Sequence, residues 1–123
     1  MTSNFKILII DDDERILTSL QDILQQEGYI ISCATSGKEG LKQFEAINPD
    51  LVITDIVMPD MEGIELIKMI RKNNIKIPII AMSGDLIGQK FLKAARLLGA
   101  IDTLLKPFSA KVLKEKINSV LSR

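Results

Sequence analysis

The sequence contains no histidine, no tryptophan and only one cysteine, Cys33. Without histidine the chain cannot build a histidine zinc site or a Ser-His-Asp triad, and it has no histidine of its own that could carry a phosphoryl group. One cysteine cannot form an internal disulfide, so we interpret Cys33 as a small buried apolar residue and expect a reducing, cytoplasmic environment. No apolar run approaches the roughly 18 residues that span a bilayer, and the start MTSNFKIL lacks the pattern of a signal peptide.

Net charge is zero, but the charges are unevenly distributed along the chain. Residues 1–65 contain thirteen acidic and four basic residues, whereas residues 66–123 contain three acidic and twelve basic residues. Ordinary solvated helix surfaces account for most of the lysines. The sharper interpretation is an acidic site in the first half and a cationic, partner-facing surface in the second.

Strand patterns and helix patterns alternate five times along the 123 residues, a length that suits one domain. The strand patterns cover Ile7–Ile10, Tyr29–Ala34, Leu51–Asp55, Ile75–Ser83 and Asp102–Leu105. The helix patterns run from Glu14 to a stop at Gly28, from the Ser36 cap past Phe44, after Gly63 through Leu66 and Ile70, over Gln89–Leu98, and onward from the Ser109 cap. Five such units predict an α/β fold: a doubly wound parallel sheet with helices on both faces.

Polar residues stand where four of these strands end, and ligands of open parallel sheets bind at that edge. They are Asp11, Asp12 and Asp13 after strand one, Asp55 at the end of strand three, Ser83 at the end of strand four, and Lys106 after strand five. Carboxylates from two strands suit octahedral Mg²⁺. Asp55 stands alone on its strand, so it is the candidate nucleophile toward phosphorus, and Asp11 with Asp12 forms a metal-holding pair. A lysine and a serine hydroxyl would neutralise and hydrogen-bond the transferred group.

Four sequence blocks, ILIIDDD, DIVMPDMEG, IIAMSG and LLKPF, resemble the signature motifs of the response-regulator receiver domain, the phosphoacceptor of two-component signalling. The resemblance covers nearly the whole chain, with the blocks in the family's order and spacing. It implies a CheY-like, flavodoxin-like (βα)5 three-layer sandwich with strand order 2-1-3-4-5. It also implies one receiver domain over residues 1–123, with no output domain in this chain.

The resemblance implies a role for each acidic residue of the site. Asp55 would accept a phosphoryl group in a reaction that depends on Mg²⁺, with Mn²⁺ as a substitute. Asp12 would ligate the metal directly and Asp11 would assist through water. Asp55 itself and the backbone carbonyl of Val57 would complete the protein ligands. The resulting protein would be a signalling phosphoacceptor that catalyses only its own phosphorylation and dephosphorylation.

Other positions carry the family's contacts to the phosphoryl group and its switch. Ser83 would supply the hydroxyl that moves toward the phosphoryl group, and Lys106 would pair with it. The peptide bond between Lys106 and Pro107 is cis in the family. At the second switch position receivers usually carry an aromatic residue, whereas this chain has Thr103. Asp13 is better interpreted as the cap of the first helix.

The expected partners follow from the same resemblance. The phosphoryl donor would be a histidine kinase or a histidine phosphotransfer protein, and the output would pass to an effector protein or a fused output domain. Phosphorylation would change partner binding on the face formed by strand four, helix four, strand five and helix five. By family analogy, Ile87, Lys90, Lys93 and Leu97 lie near this face. We expect no direct contact with nucleic acid or membrane.

Three alternatives use the same residues. A small phosphatase of the haloacid-dehalogenase type would use Asp11 and Asp13 as its paired aspartates, but Arg15 stands where that motif has Thr or Val, and no acidic pair follows Lys106. A calcium loop is disfavoured because DDDERILTSLQD lacks the central glycine and the terminal glutamate. A degenerate receiver that serves only as a binding module is disfavoured because all five key residues, Asp55 included, are present.

Overall fold

The computed structural model describes residues 5–58, 63–74, 76–84 and 86–122, with only the backbone of residues 86–89. Strands and helices alternate throughout. The strands are β1 (Lys6–Ile10), β2 (Ile30–Ala34), β3 (Leu51–Asp55), β4 (Ile79–Ser83) and β5 (Asp102–Leu105). The helices are α1 (Glu14–Gln26), α2 (Gly37–Ile47), α3 (Gly63–Asn73), α4 (Leu86–Leu98) and α5 (Ala110–Leu121).

The five strands form one parallel sheet in the order β2-β1-β3-β4-β5. The register places Ile9 of β1 between Cys33 of β2 and Ile53 of β3. The chain therefore winds first to one side of β1 and then to the other. The reversal point lies between β1 and β3, where sheets of this kind bind ligands beyond the strand ends. The α/β fold and its strand order are confirmed.

Successive strand residues alternate between two apolar layers, as the pleat of a strand requires. Leu8, Val52 and Ala81 pack in the layer that also contains the inner residues of α2, α3 and α4. Ile9 and Ile53 pack in the opposite layer, which α1 and α5 cover. All of these strand residues are fully buried. Burial on both faces explains why the strands appear in the sequence as continuous apolar runs.

Local signals account for most helix boundaries. Asp13, Ser36 and Ser109 each accept a hydrogen bond from a backbone N–H in the first turn of α1, α2 and α5 respectively. Gly28 follows α1 with a positive φ of 92°, which a glycine adopts without strain. Helix α4 begins at Leu86, three residues before the start expected at Gln89. Its first turn contains a glycine of low helix propensity, which hides the start from the sequence pattern.

Some expectations concern parts of the chain outside the described residues. They include the beginning of the fourth strand pattern at residue 75, the middle of the motif DIVMPDMEG at residues 59–62, and the side chain of Ile87. Within the described residues, β4 starts at Ile79, directly after Pro78. No helix in the described part of the chain combines the length and the apolar character needed to cross a bilayer.

Candidate functional site

A polar cleft of about 390 Å³ opens at the carboxyl ends of β1, β3 and β4. Its lining combines residues from four strand ends: Asp11, Asp12, Asp13, Ile16, Asp55, Val57, Ser83, Gly84 and Lys106. The expected site residues of the first, third, fourth and fifth strands are thus brought together. Asp11 and Lys106 are 95 positions apart in the sequence, yet their side chains are in direct contact.

Three carboxylates form the floor and rim of the cleft. Asp11, Asp12 and Asp55 each offer one oxygen, and these atoms all lie within 4.8 Å of one another. Asp11 and Asp55 are buried, whereas Asp12 is exposed at the rim. Oxygen ligands at this spacing are the donor set that hard cations prefer, so the chain can hold a metal ion here.

Each buried carboxylate is oriented by hydrogen bonds from the protein itself. Asp11 Oδ1 accepts a hydrogen bond from the Asp13 backbone N–H at 2.9 Å, and its Oδ2 accepts one from Lys106 Nζ at 2.6 Å. Asp55 Oδ1 accepts a hydrogen bond from the Ile56 backbone N–H at 2.9 Å, while its Oδ2 lies 3.4 Å from Lys106 Nζ. Lys106 therefore sits between the two carboxylates, closer to Asp11.

Burial and mutual repulsion perturb these groups. Burial, followed by the negative charge of Asp11, raises the pKa of Asp55 to about 6, although Lys106 opposes the shift. Burial likewise raises the pKa of Asp11, against the hydrogen bond from Lys106. Burial alone would lower the pKa of Lys106, but its hydrogen bond to Asp11 and the two nearby negative charges raise it instead. Three carboxylates and one ammonium leave two surplus negative charges, which a divalent cation would balance.

The raised pKa of Asp55 predicts how the free energy of unfolding depends on pH. Between about pH 4 and 6 the folded chain holds a proton on Asp55 that the unfolded chain has released. Stability contributed by this group is therefore lost as pH rises through that window. In the presence of a chelator, Asp55→Asn should remove this loss and raise the free energy of unfolding at pH 7 by about 2 kcal/mol.

Urea unfolding of the wild type and of Asp55→Asn, measured at intervals from pH 4 to 7, checks this expectation. The matched control is Asp22→Asn, because Asp22 is an exposed aspartate on α1. The control should follow the wild-type curve. Equal stability of Asp55→Asn and wild type across the whole range would show that ionised Asp55 carries no burial penalty.

The remaining predicted site residues lie at the end of β4, just beyond β3, and on or just after β5. Ser83 is buried at the end of β4, and Val57 lies just beyond β3 with 39% of its surface exposed. Both line the cleft. The Lys106–Pro107 peptide bond is cis. Thr103 is half-buried in the middle of β5, opposite Ala81 of β4, on the sheet face that α4 covers.

Two glycines at the site were missed by the sequence reasoning. A Cβ on Gly84 would stand 3.1 Å from Lys106 Cβ, so the lysine stem packs directly over this residue. A Cβ on Gly63 would collide with the Asp55 backbone oxygen, so α3 can begin against β3 only with glycine there. The available signal was a glycine placed directly after one strand and at the start of one helix.

An apolar groove of about 600 Å³ adjoins the cleft between α1 and the segment after β5. Ile16, Leu20 and Ile23 of α1 form one wall, and Pro107 with Phe108 forms the other. Lys106 lines both the groove and the cleft. The groove and the cleft are therefore adjacent.

Comparisons with known proteins connect this site with one family. The family model described as "Response regulator receiver domain" matches residues 7–118. The chain is 37% identical over 121 residues to the alkaline phosphatase synthesis transcriptional regulatory protein PhoP of Bacillus subtilis, covering 98% of this chain and 50% of that protein. It is also 37% identical over 115 residues to the CAI-1 autoinducer sensor kinase/phosphatase CqsS of Vibrio cholerae, covering 91% of this chain and 17% of that protein.

Solved structures show the same similarity. A response regulator receiver domain protein from Clostridium thermocellum superimposes with a TM-score of 0.88 at 32% identity, and the match covers 97% of this chain and 95% of that one. The chain spans about half the length of PhoP and a smaller part of CqsS. These longer proteins are a transcriptional regulator and a sensor kinase/phosphatase by name.

Proposed function

Because this chain belongs to the response regulator receiver domain family of two-component signalling, we propose that it accepts a phosphoryl group on Asp55 from a phosphohistidine of a partner protein. The observation that carries the proposal is the convergence of three carboxylates and Lys106 in one cleft. These 123 residues contain no histidine, so the phosphohistidine that donates the phosphoryl group lies outside them. The product is an aspartyl phosphate, and the chain acts as a signalling phosphoacceptor.

Asp55 Oδ2 is the attacking atom in this proposal. Its other oxygen is held by the Ile56 N–H, whereas Oδ2 faces the cleft beside Lys106. A lone pair of Oδ2 forms the new bond to phosphorus, and the P–N bond of the donor breaks. The electron pair of that bond leaves with the imidazole, which takes a proton from water. Lys106 stabilises negative charge on the transferred group, and the Ser83 hydroxyl hydrogen-bonds one of its oxygens.

Asp12, Asp11 and Asp55 would hold Mg²⁺, together with the backbone carbonyl of Val57. All of these ligand atoms are oxygens, as Mg²⁺ requires, and Mn²⁺ accepts the same set. The bound ion supplies charge neutralisation on the phosphoryl oxygens. Asp12 is exposed and Asp11 is buried with both oxygens engaged. This difference supports direct coordination by Asp12, with Asp11 acting through water.

The donor protein, a histidine kinase or a histidine phosphotransfer protein, would dock on the apolar groove between α1 and Phe108. The groove opens toward the cleft at Lys106, so a histidine presented there faces Asp55. Its lining is mostly apolar, with Arg15 and Asp13 at one side. Burial of such a wall against a partner helix supplies affinity, and the charged pair supplies orientation.

The output surface would be the face formed by β4, α4, β5 and α5. Four of the six large apolar residues that the described chain exposes lie on these elements: Phe91, Leu97, Leu105 and Val112. The exposed lysines Lys90 and Lys93 lie on the same helix, α4. Exposed apolar side chains surrounded by charge are typical of a protein-binding surface. Phosphorylation would shift the arrangement of this face and change its affinity for an effector protein or a fused output domain.

The cleft geometry favours Asp55 over Asp11 as nucleophile. A dehalogenase-type phosphatase would use Asp11 instead, so the choice of nucleophile distinguishes the two functions. Both oxygens of Asp11 are engaged, by the Asp13 N–H and by Lys106, and 1% of its side-chain surface is exposed. Asp55 keeps one oxygen directed into the cleft. A reacting phosphoryl group can therefore approach Asp55 more directly.

Labelling of the purified chain with acetyl phosphate and Mg²⁺ tests the proposal. Intact-protein mass spectrometry should show one added phosphoryl group, sensitive to hydroxylamine as an acyl phosphate is. Asp55→Asn should abolish the labelling, because an amide oxygen is a poor nucleophile toward phosphorus. Asp11→Asn should slow labelling but retain it.

Phosphoryl transfer from a phosphorylated histidine phosphotransfer protein provides a second test of the proposed function. Loss of the phosphoryl group from the donor and its appearance on Asp55 should occur together. Labelling that persists in Asp55→Asn and disappears in Asp11→Asn would favour the dehalogenase-type reading. No labelling of the wild type by either donor would leave a binding module as the function.

A further inference from the structure

A fully buried hydroxyl directly precedes Asp55 in the sequence, and its two cross-strand neighbours are apolar. Thr54 has no exposed surface. Its cross-strand neighbours are Ile10 on β1 and Ala81 on β4, and both belong to the apolar layer beneath α3. A valine would fill this space equally well without burying a hydroxyl, and a buried hydroxyl lowers stability unless it is hydrogen-bonded.

The Thr54 hydroxyl donates a hydrogen bond to the backbone carbonyl oxygen of Asp55 at 3.0 Å. A Cβ added to Gly63, the first residue of α3, would collide with the same oxygen, so the start of the helix lies close beside it. The carbonyl is therefore held from one side by Thr54 and bounded on another by the start of a helix. Rotation of this peptide group would break the hydrogen bond or press the oxygen into the helix backbone.

The carbonyl of Asp55 and the N–H of Ile56 belong to one planar peptide group, so fixing one end orients the other. The Ile56 N–H donates to two acceptors, Met82 O of β4 at 3.0 Å and Asp55 Oδ1 at 2.9 Å. The second of these bonds determines which carboxylate oxygen of Asp55 is held and which one faces Lys106. Thr54 thus acts on the carboxylate through a single rigid unit.

We infer that Thr54 is a positioning residue for the phosphoacceptor: its hydroxyl fixes the peptide group between Asp55 and Ile56, which in turn holds Asp55 Oδ1 and directs Oδ2 into the cleft. The expected effect of Thr54 on the labelling rate rests on the proposed function. The effect of the hydroxyl on the orientation of the peptide group, and through it on the Asp55 carboxylate, does not depend on that function.

Thr54→Val tests the role, with Thr54→Ser as the matched control that keeps the hydroxyl. With acetyl phosphate and saturating Mg²⁺, the maximal labelling rate of Thr54→Val should fall about tenfold, the size of effect typical of outer-shell partners. The donor concentration at half-maximal rate should stay unchanged, because the residue does not contact the donor. Thr54→Ser should retain the wild-type rate. Thr54→Val should unfold at a somewhat lower urea concentration than wild type, because the buried Asp55 carbonyl oxygen loses this donor, so labelling is compared under conditions where both proteins are fully folded.

Hydrogen exchange of the Ile56 amide, followed by NMR, reports on the geometry without any phosphoryl transfer. Exchange should accelerate in Thr54→Val and remain as in wild type in Thr54→Ser. If Thr54→Val leaves both the labelling rate and the Ile56 exchange rate unchanged, the positioning role is wrong. If the wild type accepts no phosphoryl group, the proposed function fails, and the Ile56 exchange alone decides the role of Thr54. A rate loss equal in Thr54→Val and Thr54→Ser would assign the effect to packing and overturn the inference.

Discussion

Lys106→Met is expected to lower the free energy of unfolding by about 3 kcal/mol at pH 7 in the absence of divalent cations. The lysine contacts Asp11 at 2.6 Å and Asp55 at 3.4 Å, and the side chains of all three residues are largely shielded from water. Methionine retains much of the apolar stem but leaves two buried carboxylates without a cation. Breaking a buried pair in this way is costly because the remaining charges are neither solvated nor neutralised.

The free energy of unfolding that Lys106→Met loses should increase as pH rises. Removing Lys106 raises the pKa values of Asp11 and Asp55 further, so the folded state holds protons that the unfolded state has released. The difference in free energy of unfolding between the variant and wild type should therefore be smallest at the acidic end of the range and grow as pH rises to 7. Urea unfolding curves at several pH values measure this divergence, and added Mg²⁺ should reduce it.

The matched control is Lys114→Met on α5. Lys114 Nζ lies 3.7 Å from Glu27 Oε2, and both side chains retain about two fifths of their exposure. Exposed pairs of this kind contribute about 0 to 1 kcal/mol, so the control should change stability little. Equal losses in the two variants would mean that the Lys106 contacts in the cleft do not stabilise the fold.

Asp12→Asn is expected to weaken Mg²⁺ binding by about 10- to 100-fold and to slow labelling by acetyl phosphate at limiting Mg²⁺ by a similar factor. Asp12 is the exposed member of the three-carboxylate cluster. The asparagine amide retains an oxygen but loses the negative charge, and Mg²⁺ binds a charged carboxylate oxygen more strongly than a neutral amide oxygen. Calorimetric titration with Mg²⁺ measures the affinity directly.

The neighbouring residue provides the control, because Asp13→Asn makes the same chemical change one position away. Asp13 accepts a hydrogen bond from the Arg15 backbone N–H as the N-cap of α1, and asparagine caps helices about as well as aspartate. Its variant should bind Mg²⁺ with nearly wild-type affinity at moderate salt. A loss of affinity as large as that of Asp12→Asn would indicate general attraction to an acidic loop instead of coordination by one carboxylate.

Thr103 lies apart from the residues of the carboxylate cleft. The cleft residues occupy the carboxyl ends of the strands, whereas Thr103 lies in the middle of β5 on the face covered by α4. The family usually has an aromatic side chain at this position. A small polar residue here leaves the labelling predictions unaffected, because Thr103 does not belong to the lining of the cleft.

The order of the elements and the identity of the charged residues in the cleft were predictable from the sequence for local reasons. Continuous apolar runs marked strands that are buried on both faces, and Ser36 and Ser109 marked helix starts through their own hydrogen bonds to the first turn. Parallel strands place all their carboxyl ends at one edge. For that reason Asp11, Asp55 and Lys106 could be assigned to one site without knowing any distance between them.

The exact contacts made inside the site, by contrast, depended on packing between distant parts of the chain. The sequence alone determined which carboxylates, which hydroxyl and which lysine reach the cleft, because that follows from where each strand ends. Only the tertiary structure decided that Lys106 lies nearer to Asp11 than to Asp55, and that the Thr54 hydroxyl meets the Asp55 carbonyl beneath α3. Those outcomes depend on strand register and on the packing of helices against the sheet. Both are set by the sum of many long-range contacts, which no local pattern in the sequence records.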